Sequence, residues 1–146
     1  MNKLLFALAV ALALGCGPDD YAPSWAGTYV GTTTVTSVTC SNGQSVSPFS
    51  VNASPVLTAN GFNRVTFDAA SDCPVPMTVD ATSATLLRTT CPAVYTVSGS
   101  TMTYTTTYVS GTLTLTAPRI SGPISLSFSY SNGVTCTASA SLSAAR

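Results

Sequence analysis

Cysteine is the residue type best able to do chemistry in this chain of 146 residues, which contains no histidine. A cysteine thiol can carry an acyl chain, form a disulfide or bind a metal ion. The five cysteines are Cys16, Cys40, Cys73, Cys91 and Cys136. The first directly follows an apolar segment, and the other four lie far downstream. Cys16 therefore needs an explanation of its own.

The four downstream cysteines are candidates for either zinc binding or disulfide bonds. Structural zinc sites commonly contain ligand pairs about two to four residues apart, and no two of these cysteines are that close. Four thiols in an exported chain instead indicate two disulfides, since export leads to an oxidising compartment. We therefore predict disulfides and no metal site.

Other catalytic arrangements lack the residues they need. A Ser-His-Asp or Cys-His arrangement uses histidine as a general base, and a Ser-Lys pair needs a lysine, of which Lys3 is the only one. Asp68 and Asp72 could share a calcium ion, but aspartates are common turn formers and we favour that ordinary role. The sequence predicts no catalytic residue, no cofactor and no enzyme activity.

The segment before Cys16 has the parts of an export signal in order. Lys3 supplies a positive charge, residues 4–14 form an unbroken apolar run, and Gly15 is a small residue at the cleavage position. A membrane-spanning helix needs about 20 apolar residues, so this run is too short to be one. We predict that residues 1–15 are a signal peptide.

The stretch Leu12-Ala13-Leu14-Gly15-Cys16 resembles the lipobox of bacterial lipoproteins. Ala13 and Leu14 stand where the usual lipobox has a leucine and a small residue. The resemblance implies cleavage before Cys16, acylation of that cysteine, and attachment to the cell envelope, at the outer membrane or a membrane surface that faces the periplasm. Residues 16–24 would be a lipidated tether. The alternative is an ordinary secretory signal followed by an unmodified cysteine.

Charge is scarce, with five acidic and five basic residues and a formal net charge of zero. A basic surface for nucleic acid is missing, as is a polybasic segment for anionic lipid. We predict no nucleic-acid partner and membrane contact only through the lipid at Cys16. The sequence identifies no protein or small-molecule partner.

Alternation of hydroxyl and apolar residues predicts the fold. Ile124, Leu126, Phe128 and Tyr130 alternate with serines, which is the two-residue period of a strand with one buried face. Threonine, which is abundant here, also favours strands. Residues 25–146 are therefore predicted to form one all-β domain, an antiparallel meander of about eight to ten short strands. A closed barrel is preferred over a sandwich.

Glycine-containing turns predict how the strands pair. Two Ser-Asn-Gly tripeptides, at 41–43 and 131–133, suit three-residue hairpin loops with glycine in the left-handed conformation. The second loop places Phe128 opposite Cys136. A further two-residue turn is predicted at 110–111. Most tyrosines fall on the apolar side of these strands, and core packing is favoured over an aromatic binding surface.

The same pairing predicts the disulfides. A hairpin centred on Thr82 places Cys73 opposite Cys91, and directly opposed residues lie about 4.5–5.5 Å apart, within disulfide reach. Cys40, at the end of the first strand, is then left for Cys136 in the last strand. These two strands are neighbours when a meander closes into a barrel.

Residues 25–31, Trp-Ala-Gly-Thr-Tyr-Val-Gly, open the predicted first strand. They resemble the first strand of lipocalin-like and avidin-like barrels, where an aromatic residue beside glycine closes one end. Lipocalins have glycine before tryptophan, whereas Trp25 precedes Gly27, and Arg146 is the final residue rather than part of the last strand. The resemblance implies a barrel with an interior ligand cavity.

Two functions remain open. The preferred one is a lipid-anchored envelope protein with a non-catalytic structural or interaction role. The alternative is a lipid-anchored, lipocalin-like barrel that binds a small apolar ligand in its interior. The two differ in whether side chains fill the interior, as they often do in small barrels of about eight strands.

Overall fold

The computed structural model of the protein describes residues 18–68, 73–97 and 100–146, and for 93–97 and 100–102 it describes the backbone only. These residues form one antiparallel sheet and a short helix, α1 (Ala22–Trp25). The strands are β1 (Gly27–Thr28), β2 (Val30–Cys40), β3 (Ser45–Val46), β4 (Phe49–Ala53), β5 (Val56–Ala59), β6 (Arg64–Asp68), β7 (Val75–Val79), β8 (Ser83–Leu86), β9 (Thr89–Val97), β10 (Ser100–Thr116), β11 (Arg119–Tyr130) and β12 (Thr135–Ala145). The predicted all-β antiparallel fold is confirmed.

The predicted signal peptide and Cys16 lie outside the described residues. Within the described ranges, no helix has the length and apolar character needed to cross a membrane.

The sheet is not closed into the barrel that the sequence predicts. Hydrogen-bonded neighbours follow the order β1-β5-β6-β7-β8-β10-β11-β12-β2-β3, with β4 beside β2 and β9 beside β10. In the part of the chain that the structure describes, β3 and β4 pair only with β2, and β9 pairs only with β10. These strands leave free edges where a barrel would continue. The sandwich is not formed either, because all twelve strands belong to one sheet.

One face of this sheet surrounds a single core. The core takes side chains from α1 and from strands in both halves of the sheet, including Trp25, Leu57, Met77, Leu113 and Leu142, all at most 1% exposed. An apolar sheet face must be covered by another layer or by the same sheet. Since the described residues form no second sheet, this one curls around its own side chains. The alternation is clearest in β12, where every second residue up to Ala144 is buried.

Helix α1 and Tyr29 close one end of the curled sheet, so part of the predicted tether belongs to the packed domain. The Trp25 indole N–H donates to the Asp80 carbonyl at 2.8 Å, and the Tyr29 hydroxyl donates to the Trp25 carbonyl at 3.0 Å. The guanidinium of Arg146 lies 5.6 Å from the centre of the Tyr29 ring and donates to the Ala26 carbonyl. An arginine therefore packs at this end, although it is the last residue.

The Ser-Asn-Gly loop at 131–133 forms as predicted. Phe128 lies opposite Cys136, and the glycine of this loop has φ of 84°. The turn predicted at 110–111 is wrong, because β10 continues through it with a bulge between Tyr108 and Ser110. A bulge adds one unpaired residue and so shifts the alternation of faces. Side chains before and after it face the core without a turn between them.

Both disulfides join the predicted partners, Cys40 with Cys136 and Cys73 with Cys91. Cys40 and Cys136 lie directly opposite each other on β2 and β12. The first long strand and the last strand are thus neighbours even though the sheet is not closed.

The hairpin register used to predict the second disulfide is wrong by one residue. Met77 lies opposite Leu86 rather than Leu87, so the turn is not centred on Thr82. Cys91 lies on β9, beyond the end of β8, and pairs with β10. Its position relative to Cys73 therefore does not depend on the β7–β8 register.

Strands β2 and β12 approach each other closely at Gly31. A Cβ atom there would lie 2.9 Å from Cβ of Ala144 and still closer to the backbone of β12. Because that backbone is held in the sheet, we expect Gly31→Ala to lower the free energy of unfolding by about 1–3 kcal/mol. Truncation of its exposed neighbour, Thr32→Ala, should change the free energy of unfolding by less than about 0.5 kcal/mol. Equal losses in urea denaturation would contradict the close approach.

Asp80 makes the turn between β7 and β8 sensitive to acid. Its carboxylate accepts the backbone N–H groups of Thr82 and Ser83 at 2.8 and 2.7 Å. These bonds, that of Thr82 first, lower the pKa of Asp80 below its usual 3.8. A depressed folded-state pKa gives stability that is present above the unfolded pKa and lost as the pH falls through the folded one.

We therefore expect acid to destabilise the wild type more than Asp80→Asn, whose amide does not titrate. The measurement is the melting temperature of both proteins between about pH 5 and pH 2. Parallel pH profiles would show that this carboxylate has no such role.

Candidate binding site at the open end of the sheet

The strands differ greatly in length, and this leaves one end of the sheet open. Strands β5 to β8 have four or five residues each, whereas β2, β10, β11 and β12 have between 11 and 17. The long strands extend past the short ones at the end opposite α1. Strand β2 shows the direction, since it begins at Val30, beside the closed end, and ends at Cys40. Beyond the short strands, the inner side of the long ones lacks an opposing wall among the described residues.

The core-facing side of the sheet continues into this open end. Phe128 opposes Cys136, and Cys136 opposes Cys40; directly opposed residues share a face. We define the open inner face as six residues on this side that are half-buried or exposed: Val38, Val46, Tyr104, Phe128, Tyr130 and Val134. It is an uncovered extension of the core.

Three aromatic rings form a row on the open inner face. The ring centres of Tyr104 and Phe128 are 6.3 Å apart at an interplanar angle of 60°, and those of Tyr104 and Tyr130 are 5.6 Å apart at 36°. Aromatic rings at these separations attract each other. All three side chains are half-buried, so the row is held in place and still reaches solvent.

A cleft of about 530 Å³ lies at one side of this face. Ligand-binding clefts commonly have about 300–1,000 Å³ and combine apolar walls with a few polar groups. Its walls and rim are formed by Val38, Val46, Tyr130, Val134, Asn42, Gln44, Ser45 and Asn132, together with the disulfide-bonded Cys40 and Cys136. The size and the mixture of side chains suit a small ligand or one segment of a larger one.

Amide side chains at the rim are positioned by the two Ser-Asn-Gly loops. The Asn42 amide donates to the Gln44 side-chain oxygen at 2.9 Å, and the Gln44 backbone N–H donates to the Asn42 oxygen at 3.1 Å. The Asn132 oxygen accepts the Val134 N–H at 3.1 Å. These bonds hold the loops, and among the described residues the side-chain NH₂ groups of Gln44 and Asn132 have no hydrogen-bond acceptor.

The strands that carry the open inner face contain one charged residue, Arg119 at the far end of β11. No Asp, Glu, Lys or Arg occurs in residues 21–63, 89–118 or 120–145. These segments contain β2, β3, β9, β10, β12 and all of β11 except Arg119. Hydrogen bonding and apolar contact are therefore the interactions that the face offers.

The free edge of β4 opens a second, smaller cleft. Phe49 and Val51 are 44% and 48% exposed, although Val51 pairs with Thr33, which pairs with the buried Leu142. The cleft beside Val51 has about 170 Å³ and reaches Phe67 in the core. Incomplete strand pairing thus exposes inner residues here as well.

Only one of the two acidic residues considered for calcium is described by the structure. Asp68 ends β6, and Asp72 lies outside the described residues. Burial, followed by the nearby Asp68 carboxylate, raises the pKa of Tyr108, which packs against the core. Among the described residues, no three His, Cys, Asp or Glu side chains cluster as metal ligands. Cys16, the predicted lipidation site, is not described.

The sequence predicts core packing for most of the tyrosines, and the structure confirms this prediction only in part. Tyr29 is fully buried, whereas Tyr104 and Tyr130 are half-buried on the open inner face. One signal was present: the apolar alternation runs up to the polar loops at 41–43 and 131–133 without a charge. The unequal strand lengths that uncover the face are not visible in that pattern.

Comparison of the chain with protein-family models, with curated proteins and with solved structures finds no match.

Truncation variants separate the core from the aromatic row. Leu113 is fully buried, and we expect Leu113→Ala to cost about 2–5 kcal/mol of unfolding free energy. Phe128 is half-buried, so Phe128→Ala should cost only about 1–2 kcal/mol from lost burial. Urea denaturation of both variants is the measurement. A loss for Phe128→Ala as large as that for Leu113→Ala would make the row part of the core.

Proposed function

We propose that the protein is a lipid-anchored lipoprotein of the cell envelope that binds a partner molecule at its open inner face and has no catalytic role. The observation that carries this proposal is the row of half-buried aromatic rings beside a cleft of about 530 Å³. Contiguous apolar surface on a folded protein commonly marks a binding site. A partner would complete the burial that the curled sheet leaves unfinished.

The lipid anchor is supported by the sequence before Cys16 and by the disulfides. The apolar run, the small residue and the cysteine occur in the order of a lipobox. Two disulfides suit an oxidising compartment such as the one that exported proteins enter. Cys16 is also only four residues before Asp20, whose carboxylate accepts N–H groups of Ala22 and Asn63 at 3.1 and 2.9 Å. The anchor would hold the domain close to its membrane.

A non-catalytic role is supported by the chemistry of the cleft. Its side chains are aliphatic, aromatic, amide and hydroxyl groups. Its two cysteines, Cys40 and Cys136, are bonded to each other, so neither is a free nucleophile. These groups suit the binding of a ligand through contact and hydrogen bonds rather than catalysis by proton transfer.

A small apolar ligand is a second candidate. The valine and tyrosine walls of the larger cleft favour it, as does the contact of the smaller cleft with Phe67 and Leu142. The closed end, however, is filled by Trp25 and Tyr29. Such a ligand would therefore occupy the open inner face and not the deep interior.

The anchor is tested by Cys16→Ser in a bacterial host that processes lipoproteins. Each buried methylene of an acyl chain contributes about 0.8 kcal/mol, so several chains hold a protein firmly. We expect the wild type in the detergent phase of a Triton X-114 partition and the variant in the aqueous phase. The control is the double variant Cys40→Ser/Cys136→Ser, which should stay in the detergent phase. Detergent partitioning of Cys16→Ser would overturn the anchor.

A further inference from the structure

We propose that the open inner face binds a neutral saccharide, which reaches it from the side of the domain that faces away from the anchoring membrane. The orientation rests on the lipid anchor of the proposed function. The chemical class of the ligand rests on the side chains of the face alone.

The first described residues after the proposed anchor lie at the end of the domain opposite the open inner face. Cys16 is four residues from Asp20, which an extended chain spans in about 14 Å. Asp20 belongs to the closed end, because it bonds Asn63 in the loop between β5 and β6. Strand β2 has 11 residues between the closed and open ends, or about 36 Å of strand. Acyl chains of the anchoring bilayer are therefore remote from the face.

The absence of charge from the surrounding segments selects an uncharged ligand. A phosphate or carboxylate taken from water into this cleft would lose hydration without gaining an ion pair, and burial of an unpaired charge is costly. Residues 21–63 and 120–145, which supply all the side chains that line the cleft, contain no charged side chain. Nucleotides, phospholipid headgroups and acidic polymers do not match this surface.

The remaining groups match the two sides of a sugar ring. A pyranose has C–H faces that pack on aromatic rings and hydroxyl groups around its edge that donate and accept hydrogen bonds. Tyr130 lines the cleft and is held by Tyr104, so it offers a positioned ring. Gln44 and Asn132 place amide groups at the rim, and amides both donate and accept.

A purely apolar ligand fits these groups less well. It would cover the amides of Gln44 and Asn132 or the Tyr130 hydroxyl without bonding them, and burial of unsatisfied polar groups costs free energy. A saccharide replaces their bonds to water with bonds of its own. The row of rings also continues beyond the cleft to Phe128, which suits a chain of sugar units better than a single one.

The test uses the full mature protein in lauryldimethylamine oxide, a detergent without a sugar headgroup. Cellohexaose, maltohexaose and chitohexaose, all neutral, are titrated by isothermal calorimetry. We expect at least one to bind, and we expect Tyr130→Ala to weaken that binding at least tenfold. The matched control is Tyr21→Ala, which removes a tyrosine at the closed end and should leave the affinity unchanged. Circular dichroism confirms that both variants are folded.

The saccharide proposal would be overturned if no hexasaccharide bound, or if Tyr130→Ala and Tyr21→Ala bound the hexasaccharide with equal affinity. It would also be overturned if the protein bound the apolar probe N-phenyl-1-naphthylamine in a Tyr130-dependent way and bound no hexasaccharide. The last outcome would keep the proposed binding function and replace the saccharide by an apolar ligand. Failure of the anchor is seen separately, in the detergent partitioning of Cys16→Ser.

Discussion

The need of a single sheet to bury its own apolar face governs this structure. No second layer is present in the described residues, so side chains from distant strands meet only because the sheet curls. Where short strands face long ones, the curl brings Met77 and Leu142 into the same core. Where the long strands continue alone, no described strand lies opposite the same inner face. The core and the open inner face are thus two parts of one sheet face, and they differ in whether other strands of the curled sheet pack against them.

The local alternation of residues predicted much of this fold. Thr- and Ser-rich strands with a two-residue period, and the pairing of Phe128 with Cys136, follow from side-chain parity and a glycine turn. The bulges did not follow from it. Thr36 has no directly opposed residue on β12 where the β2–β12 register shifts, and Val109 has none on β11 where the β10–β11 register shifts. Both are ordinary β-branched residues, so nothing in their type marks an unpaired position.

The candidate site was less predictable than the strands, because it depends on relationships between distant segments. The aromatic residues were recognisable, but half-burial of Tyr104 and Tyr130 depends on how far β10 and β11 extend past their neighbours. Arg146 shows the same limit at the closed end. Its contact with Tyr29 spans nearly the whole chain and depends on where the last strand finishes. The prediction of the disulfide was less sensitive to such errors. Cys73 and Cys91 are bonded as predicted, although the predicted register of the hairpin between them is wrong by one residue.

The pairing of β2 with β12 sets the order in which the protein can mature. Ten residue pairs join these strands, and the disulfide between them links residues 96 positions apart. In a chain exported from its N-terminus, as proposed above, β2 would emerge early and wait for the last strand before its second edge is covered. Such non-local pairing slows folding, because a long loop has to close, at a cost in chain entropy, before the contacts between the two strands can stabilise the chain. Until then, the early hairpins expose uncharged strand edges that can pair with other chains. Disulfide exchange at Cys40 and Cys136 is possible throughout this interval, because their bond requires both strands.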